Sequence, residues 1–352
     1  MPKLILIDGN AIFYRAFHAL PLFKSSKGEF TNAIYGFLKM TFQILKQENP
    51  EYIAIAFDCA EKTHRHIEYE EYKAQRKPPP PELYPQLPRL KQGLEIMNIA
   101  LFELPGYEAD DIIGTLATEA EKKDFQTLIV TGDKDAFQLV TDKIQVRVPI
   151  SGLSTVIDYT PAKIKEKMGL IPAQIVDYKA LKGDPSDNIK GINGIGDKQA
   201  VDLLQKYEHL ENIYAHIDEL TPSQRQKFED GRKDALFSKK LATIVREVPI
   251  DLDFEKCRFQ KVPYTKMKAY LEEIEFRGFL NKMMEFKDFV DMEGVEVPQV
   301  SGNEPKAQSE HQKIKQQKSG QQGLSGQFEH AQKSNSDHVP AHNPGPVQQS
   351  LF

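Results

Sequence analysis

Three apolar runs in the first half of this chain each end at an aspartate: Leu4 to Ile7 at Asp8, Ile53 to Phe57 at Asp58, and Leu128 to Val130 shortly before Asp133. Short uninterrupted runs of Leu, Ile, Val, Ala and Phe read as parallel strands buried on both faces, with helices between them. The expected fold is therefore α/β. Ligands of open α/β sheets gather at the carboxyl ends of the strands. One strand-ending aspartate is an ordinary turn or helix-cap residue. Three at one edge repel one another unless a cation holds them, so the pattern predicts a metal site.

Further carboxylates arrive at spacings that suit the same edge. Glu108, Asp110 and Asp111 follow Pro105-Gly106 and lead into the apolar pattern Ile112, Ile113, Leu116, Ala117, Ala120. This places them on the first turn of a helix, with Glu108 and Asp111 on one face. Asp133 and Asp135 bracket Lys134 directly after the third strand, and Asp184 and Asp187 form a last pair in a Gly-Asp-Pro-Ser-Asp-Asn stretch. A single Mg²⁺ takes one or two carboxylates and keeps several waters. So many acids imply two ions, the arrangement in which metals about 3.5–4 Å apart clamp the attacking and leaving oxygens of a phosphodiester. An all-oxygen donor set favours Mg²⁺, with Mn²⁺ an alternative. The histidines are scattered and Cys59 and Cys257 lie far apart, so zinc is poorly supported.

Residues 188–200 supply a substrate for such a centre. Gly191, Gly194 and Gly196 alternate with Ile192 and Ile195, flanked by Lys190 and Lys198, and a helical pattern follows. The isoleucines would anchor a hairpin while its bare backbone approaches a phosphate at a helix N-terminus. A second segment, residues 64–91, interleaves His64, Arg65, His66, Lys73, Arg76, Lys77, Arg89 and Lys91 with Tyr69, Tyr72 and Tyr84, and carries a proline run at 78–81. Cations that hold phosphates beside rings that stack on bases suit a single strand. Leaving the sheet just after Asp58, this segment should stand over the carboxylates.

The chain resembles the 5′-nuclease domain of bacterial DNA polymerase I, in the flap endonuclease and 5′-3′ exonuclease superfamily, over residues 1 to about 290. The stretches that carry the resemblance are Leu4 to Asn10 with Tyr14 to His18, Ile55 to Asp58, Tyr72 to Arg76, Gly106 to Asp111, Thr131 to Asp135, and Gly183 through Lys198. It implies a PIN-like parallel sheet flanked by helices across residues 1–175, a helical arch around 64–91, and a helix-hairpin-helix-type DNA-binding region at 176–290. It further implies that Asp8, Asp58, Glu108 and Asp110 hold a first metal with Asp111 in support. Asp133, Asp135, Asp184 and Asp187 form the second cluster. Tyr72, Lys73, Arg76 and Arg15 match positions that engage the 5′ strand and the scissile phosphate, and the hairpin near 190–197 is a place for K⁺. Pro78 to Pro81, Asn32 and Gln75 depart from the family pattern without touching the acids.

The implied activity is Mg²⁺-dependent 5′-3′ exonuclease and flap endonuclease cleavage of 5′ flaps, 5′ ends and RNA primers in replication and repair. No polymerase sequence follows residue 290, so the expectation is a stand-alone monomer served by a polymerase in trans. A phosphatase would share strand-end aspartates and Mg²⁺ but leaves the hairpin unexplained, and Asp8-Gly9-Asn10 lacks the second Asp of the usual nucleophile motif. A non-catalytic DNA scaffold would need the hairpin without the acids.

Composition agrees. With 46 basic against 51 acidic residues the chain is near balance, as a nucleic-acid enzyme with a concentrated acidic site is free to be. Two cysteines and no long apolar stretch suggest a reducing compartment without a membrane, read as the cytoplasm. From about residue 291 the composition turns to Gln, Ser, Gly, Lys, His and Pro, which predicts a disordered tail. Its end, Gln348-Gln349-Ser350-Leu351-Phe352, resembles the peptide by which bacterial replication proteins dock on the sliding clamp. Leu351 and Phe352 would fill an apolar pocket while Gln348 makes polar contacts.

Overall fold

The computed structural model describes residues 1–151 and 155–292. Its centre is a six-stranded sheet built from β1 (Lys3–Asp8), β2 (Tyr52–Ala56), β3 (Ala100–Phe102), β4 (Gln126–Val130), β5 (Ile144–Ser151) and β6 (Thr155–Tyr159) in the spatial order β3-β2-β1-β4-β5-β6. The chain starts in the middle, moves outward through β2 and β3, then returns to the other side of β1 as β4. The reversal of strand order at β1 opens a crevice at its carboxyl end. Asp8 pairs across from Ala56, and Ile7 across from Val130, so all three aspartate-terminated strands finish side by side.

The strands through β5 are parallel, but β6 is antiparallel to β5, where the sequence predicted a wholly parallel sheet. Only three residues separate Ser151 from Thr155, too few for the crossover that a parallel neighbour needs.

The uninterrupted apolar runs follow from burial on both faces. Ile5, Ile7, Ile53 and Ile55 point into one core, with α1 (Gly9–Ala19), α2 (Asn32–Glu48) and later helical segments. Leu4, Leu6, Ala54 and Ala56 point into the other. The short helix α3 (His64–Glu68) begins the basic segment, and α4 (Leu87–Ile96) follows it. That segment divides: residues 64–76 lie over the acids, whereas Leu83, Leu90 and Leu94 are buried in the first core. Arg89 and Lys91 accordingly pair away from the acids, with Glu273 and Glu103.

Helix α5 (Ala109–Lys122) covers the second face, and α6 (Pro161–Met168) follows β6. A third core then gathers α7 (Ile175–Lys182), α8 (Asp197–Tyr207), α9 (Leu210–Ala215) and α10 (Pro222–Ala242) around Leu181, Leu204, Ile213 and Phe228. Between α7 and α8 run the short paired strands β7 (Gly183–Asp184) and β8 (Ile189–Lys190), so the glycine stretch lies between two helices. Ile192 and Ile195 are buried in this core, as their spacing predicted. The clamp-like peptide Gln348 to Phe352 lies outside the described residues.

Candidate metal centre and nucleic-acid interface

Strand ends and helix starts bring the acids together. Asp8 caps α1, accepting the Ala11 N–H at 2.9 Å on one oxygen and the Thr131 hydroxyl at 2.7 Å on the other. Asp58 accepts the Ala109 N–H at 2.8 Å, satisfying an orphan donor at the N-terminus of α5. Burial pushes the Asp8 carboxyl up to about 7, against those two hydrogen bonds and with repulsion from Asp58 and Asp133 added. Asp110 is raised well above the ordinary carboxylate range by burial and by repulsion from Asp133 and Asp8. Asp58 is open along one side, yet the protein packed around its carboxylate also raises it. Four like charges share too little water here, which is the electrostatic mark of a cation site.

The second group is tighter. Carboxylate oxygens of Asp135, Asp184 and Asp187 lie within 4.8 Å of one another, and no other acid, His or Cys group among the described residues converges as closely. The Lys179 ammonium from α7 sits between Asp135 and Asp184, 2.5 Å from the latter. Burial and the neighbouring Asp133 push Asp135 up to about 7 in spite of Lys179. Asp184 feels the same burial, but Lys179 and two bonds from Ser186 hold it below its ordinary value. Asp133, expected within this second cluster, lies between the two groups: it repels Asp8, Asp110 and Asp135 alike.

Asp111 requires a correction. It is fully buried, and its two oxygens accept parallel 2.7 Å bonds from Arg65, with Val245 N–H also on Oδ1 at 2.8 Å. A carboxylate so engaged has no lone pair directed at a metal. Arg65 itself spends its remaining donors on Glu108 and on the Leu241 and Thr243 carbonyls, joining the basic segment, α5 and the end of α10.

The basic segment closes over the acids. Lys73 Nζ donates to Glu108 Oε1 at 2.9 Å, Arg76 to Asp187 at 2.6 Å, and the Tyr72 hydroxyl lies 3.2 Å from Glu108 and 3.3 Å from Asp187, spanning the two groups. Lys73 adopts φ 56°, a left-handed conformation unusual for a residue with a side chain. That turn lets its backbone N–H reach the Asp187 carbonyl at 3.1 Å while Tyr72 and Lys73 both face Glu108. Arg15 is partly buried on α1, and that burial lowers its pKa.

The hairpin is built on backbone proximity. A Cβ on Gly191 would lie 2.2 Å from the Lys182 carbonyl carbon, so only glycine fits. Gly194 adopts φ +78°, Gly196 caps α8 with open space where a Cβ would stand, and Lys190 and Lys198 are exposed beside them. At the place expected for K⁺, the Lys227 ammonium from α10 donates to the Gly194 carbonyl at 2.9 Å.

Residues 3–169 match the N-terminal resolvase-like domain of the 5′-3′ exonucleases, and residues 170–265 match their C-terminal SAM fold. The chain belongs to the 5′-3′ exonuclease family. It is 44% identical over 282 residues to DNA polymerase I of Bacillus caldotenax and 42% identical over 284 residues to that of Bacillus subtilis, 80% of this chain in each case. It spans about a third of the length of those polymerases, 32% of each. In fold, this family member is similar to a bacteriophage T5 flap endonuclease solved with DNA and metal ions, at 18% identity and a TM-score of 0.56 over 81% of this chain and 99% of that one. The catalytic core of Rad2 with DNA substrate gives a TM-score of 0.51 at 16% identity, over 78% of this chain and 87% of that one.

Sequence reasoning missed four residues of this exonuclease-family site. Thr131 lay within a recognised stretch, but nothing in it signals a hydroxyl aimed at Asp8. Arg65 stood unsorted among the cations of the basic segment. Lys179 and Lys227 come from helices whose sequence gives no sign of where they point.

Proposed function

We propose that this chain is a structure-specific 5′-3′ exonuclease and flap endonuclease that hydrolyses phosphodiester bonds at 5′ flaps, 5′ ends and RNA primers during replication and repair. The observation that carries the reading is the closure of Tyr72, Lys73 and Arg76 onto a carboxylate edge that continues directly into the glycine hairpin. A small phosphate ester requires no such hairpin.

The donor set fits two hard divalent cations, Mg²⁺ with Mn²⁺ as an alternative. It is all oxygen, and its acids are crowded enough to suppress their ionisation. Asp8, Asp58, Glu108 and Asp110 would hold one ion, and Asp135, Asp184 and Asp187 the other, with Asp133 between. When bound, the ions supply the Lewis acidity that activates water and stabilises the leaving 3′ oxygen. The protein's own part is positional. Lys73 and Arg76, held against the acids, offset charge on the scissile phosphate, and Tyr72 and Arg15 steady the 5′ strand. The hairpin with Lys190, Gly191, Gly194, Gly196 and Lys198 would hold the duplex through backbone N–H groups and side-chain charge. K⁺ is not part of this reading, because the Lys227 ammonium already occupies the Gly194 carbonyl.

Cleavage of a 5′-labelled double-flap DNA tests the proposal, with Mg²⁺, with EDTA, and by an Asp133→Asn, Asp184→Asn double variant. Metal-dependent product near the junction, lost in the variant, is expected. Tight junction binding without cleavage in Mg²⁺ or Mn²⁺ would replace the nuclease by a scaffold.

The reading also includes a cytoplasmic location and docking of Gln348, Leu351 and Phe352 on the bacterial sliding clamp. A long tether would raise the nuclease's effective concentration at clamp-loaded DNA even for a weak peptide. Deleting residues 348–352 should abolish clamp pull-down and spare cleavage of naked flaps; retained pull-down rules the docking out.

A further inference from the structure

One face of α10 runs along the glycine hairpin. Residues 227, 231, 235 and 238 recur at helical spacing, and each meets the hairpin or the core behind it. At one end Lys227 Nζ donates to the Gly194 carbonyl at 2.9 Å, its stem lying across that glycine. In the middle, a Cβ on Gly231 would come within 3.0 Å of Ile192, so the absence of a side chain sets the close approach. Ala235 is fully buried in the third core. At the far end the Ser238 hydroxyl donates to the Lys190 carbonyl.

The hairpin's own backbone occupies two more carbonyls: Ile192 accepts from Ile195 N–H at 3.0 Å and Gly196 from Ala200 N–H at 2.9 Å. A monovalent ion bound by hairpin carbonyls would have to displace these donors. It would also sit against a fixed positive charge, since like charges a few ångströms apart repel strongly even when partly solvated. The donor set does not fit K⁺.

We infer that Lys227 is the built-in cation of the hairpin: its ammonium takes the role of a bound monovalent ion and presents positive charge to a duplex phosphate at Gly194. An ammonium carries three N–H donors, so it can hold the Gly194 carbonyl and a phosphate oxygen together. This rests on the reading of the hairpin as a duplex-binding element.

The test is fluorescence anisotropy with a labelled double-flap DNA in EDTA, titrated in KCl, NaCl and tetramethylammonium chloride at equal ionic strength. The full chain should bind equally in the three salts to within about twofold. Lys227→Met should bind more weakly and lower the slope of log affinity against log salt by about one, the signature of one lost phosphate contact. It should also recover affinity in KCl over tetramethylammonium chloride, because K⁺ can then enter. Lys227→Arg should keep both affinity and slope. Thermal melts show whether the variants fold, and a purely structural role would not change the salt slope. Wild-type binding that requires K⁺, or Lys227→Met with unchanged affinity and slope, overturns the inference alone. If the wild-type chain fails to bind in every salt, the nucleic-acid reading falls and takes the inference with it.

Discussion

Arg65 and Asp111 form a buried ion pair through two parallel 2.7 Å hydrogen bonds, with neither side chain appreciably exposed. The pair fastens the basic segment to the acidic helix and, through the Leu241 and Thr243 carbonyls, to the end of α10. Removing one partner leaves a charge buried without compensation. Arg65→Met and Asp111→Leu should each cost about 3–5 kcal/mol in denaturant unfolding. The double variant should cost less than the sum by more than about 1 kcal/mol; strict additivity would mean the two residues do not act as a unit.

Stability should fall with rising pH when metals are withheld. An ordinary aspartate titrates at 3.8, whereas Asp8 and Asp135 are pushed up to about 7. Between these values the folded protein keeps protons that the unfolded chain has released. Their stabilising effect is present below the lower value and lost as pH rises through the upper one. Asp184, held low, has the opposite sign, but its effect is lost only at more acid pH. Divalent ions need ionised carboxylates. The Tm gap between Mg²⁺ and EDTA should therefore widen from about pH 5 to about pH 8 and flatten in an Asp8→Asn, Asp135→Asn variant. A constant gap in the wild type would contradict the electrostatic account.

Lys179 is the cation that makes the tight acidic group tolerable without metal. Lys179→Met leaves Asp135 and Asp184 facing each other uncompensated. In EDTA the variant should lose about 3–5 kcal/mol at neutral pH. The loss should shrink in acid, where the carboxyls protonate, and shrink again on adding Mg²⁺. Denaturant curves at two pH values with and without Mg²⁺ check this, and a loss independent of both would make Lys179 a packing residue.

Gly191→Ala drives a methyl group into the Lys182 carbonyl and the Gly183 nitrogen, both under 2.5 Å from the new Cβ. Backbone cannot rotate away as a side chain can. The expected cost is at least about 2 kcal/mol, comparable to overpacking a core, together with loss of duplex affinity. Gly196→Ala meets nothing in the protein, so its Tm should stay near wild type. Any loss of DNA binding there would report the space a phosphate needs.

The sequence by itself determined the α/β sheet, the edge where the acids collect and the hairpin that follows them. Each of these is a local pattern: a strand buried on both faces must be apolar throughout, its terminus must turn, and a glycine stretch carries its conformational freedom in its composition. The antiparallel β6 follows from a short connection, and Asp110 and Asp111 looked alike because both stand on one helical turn. Only the tertiary structure separated them. It turned Asp111 toward Arg65, laid Lys179 between two acids from different segments, and ran α10 along the hairpin to put Lys227 on Gly194. Those partners are separated by 5 to 46 residues in the chain, and a side chain's partner depends on how elements pack, which residue type and spacing do not encode.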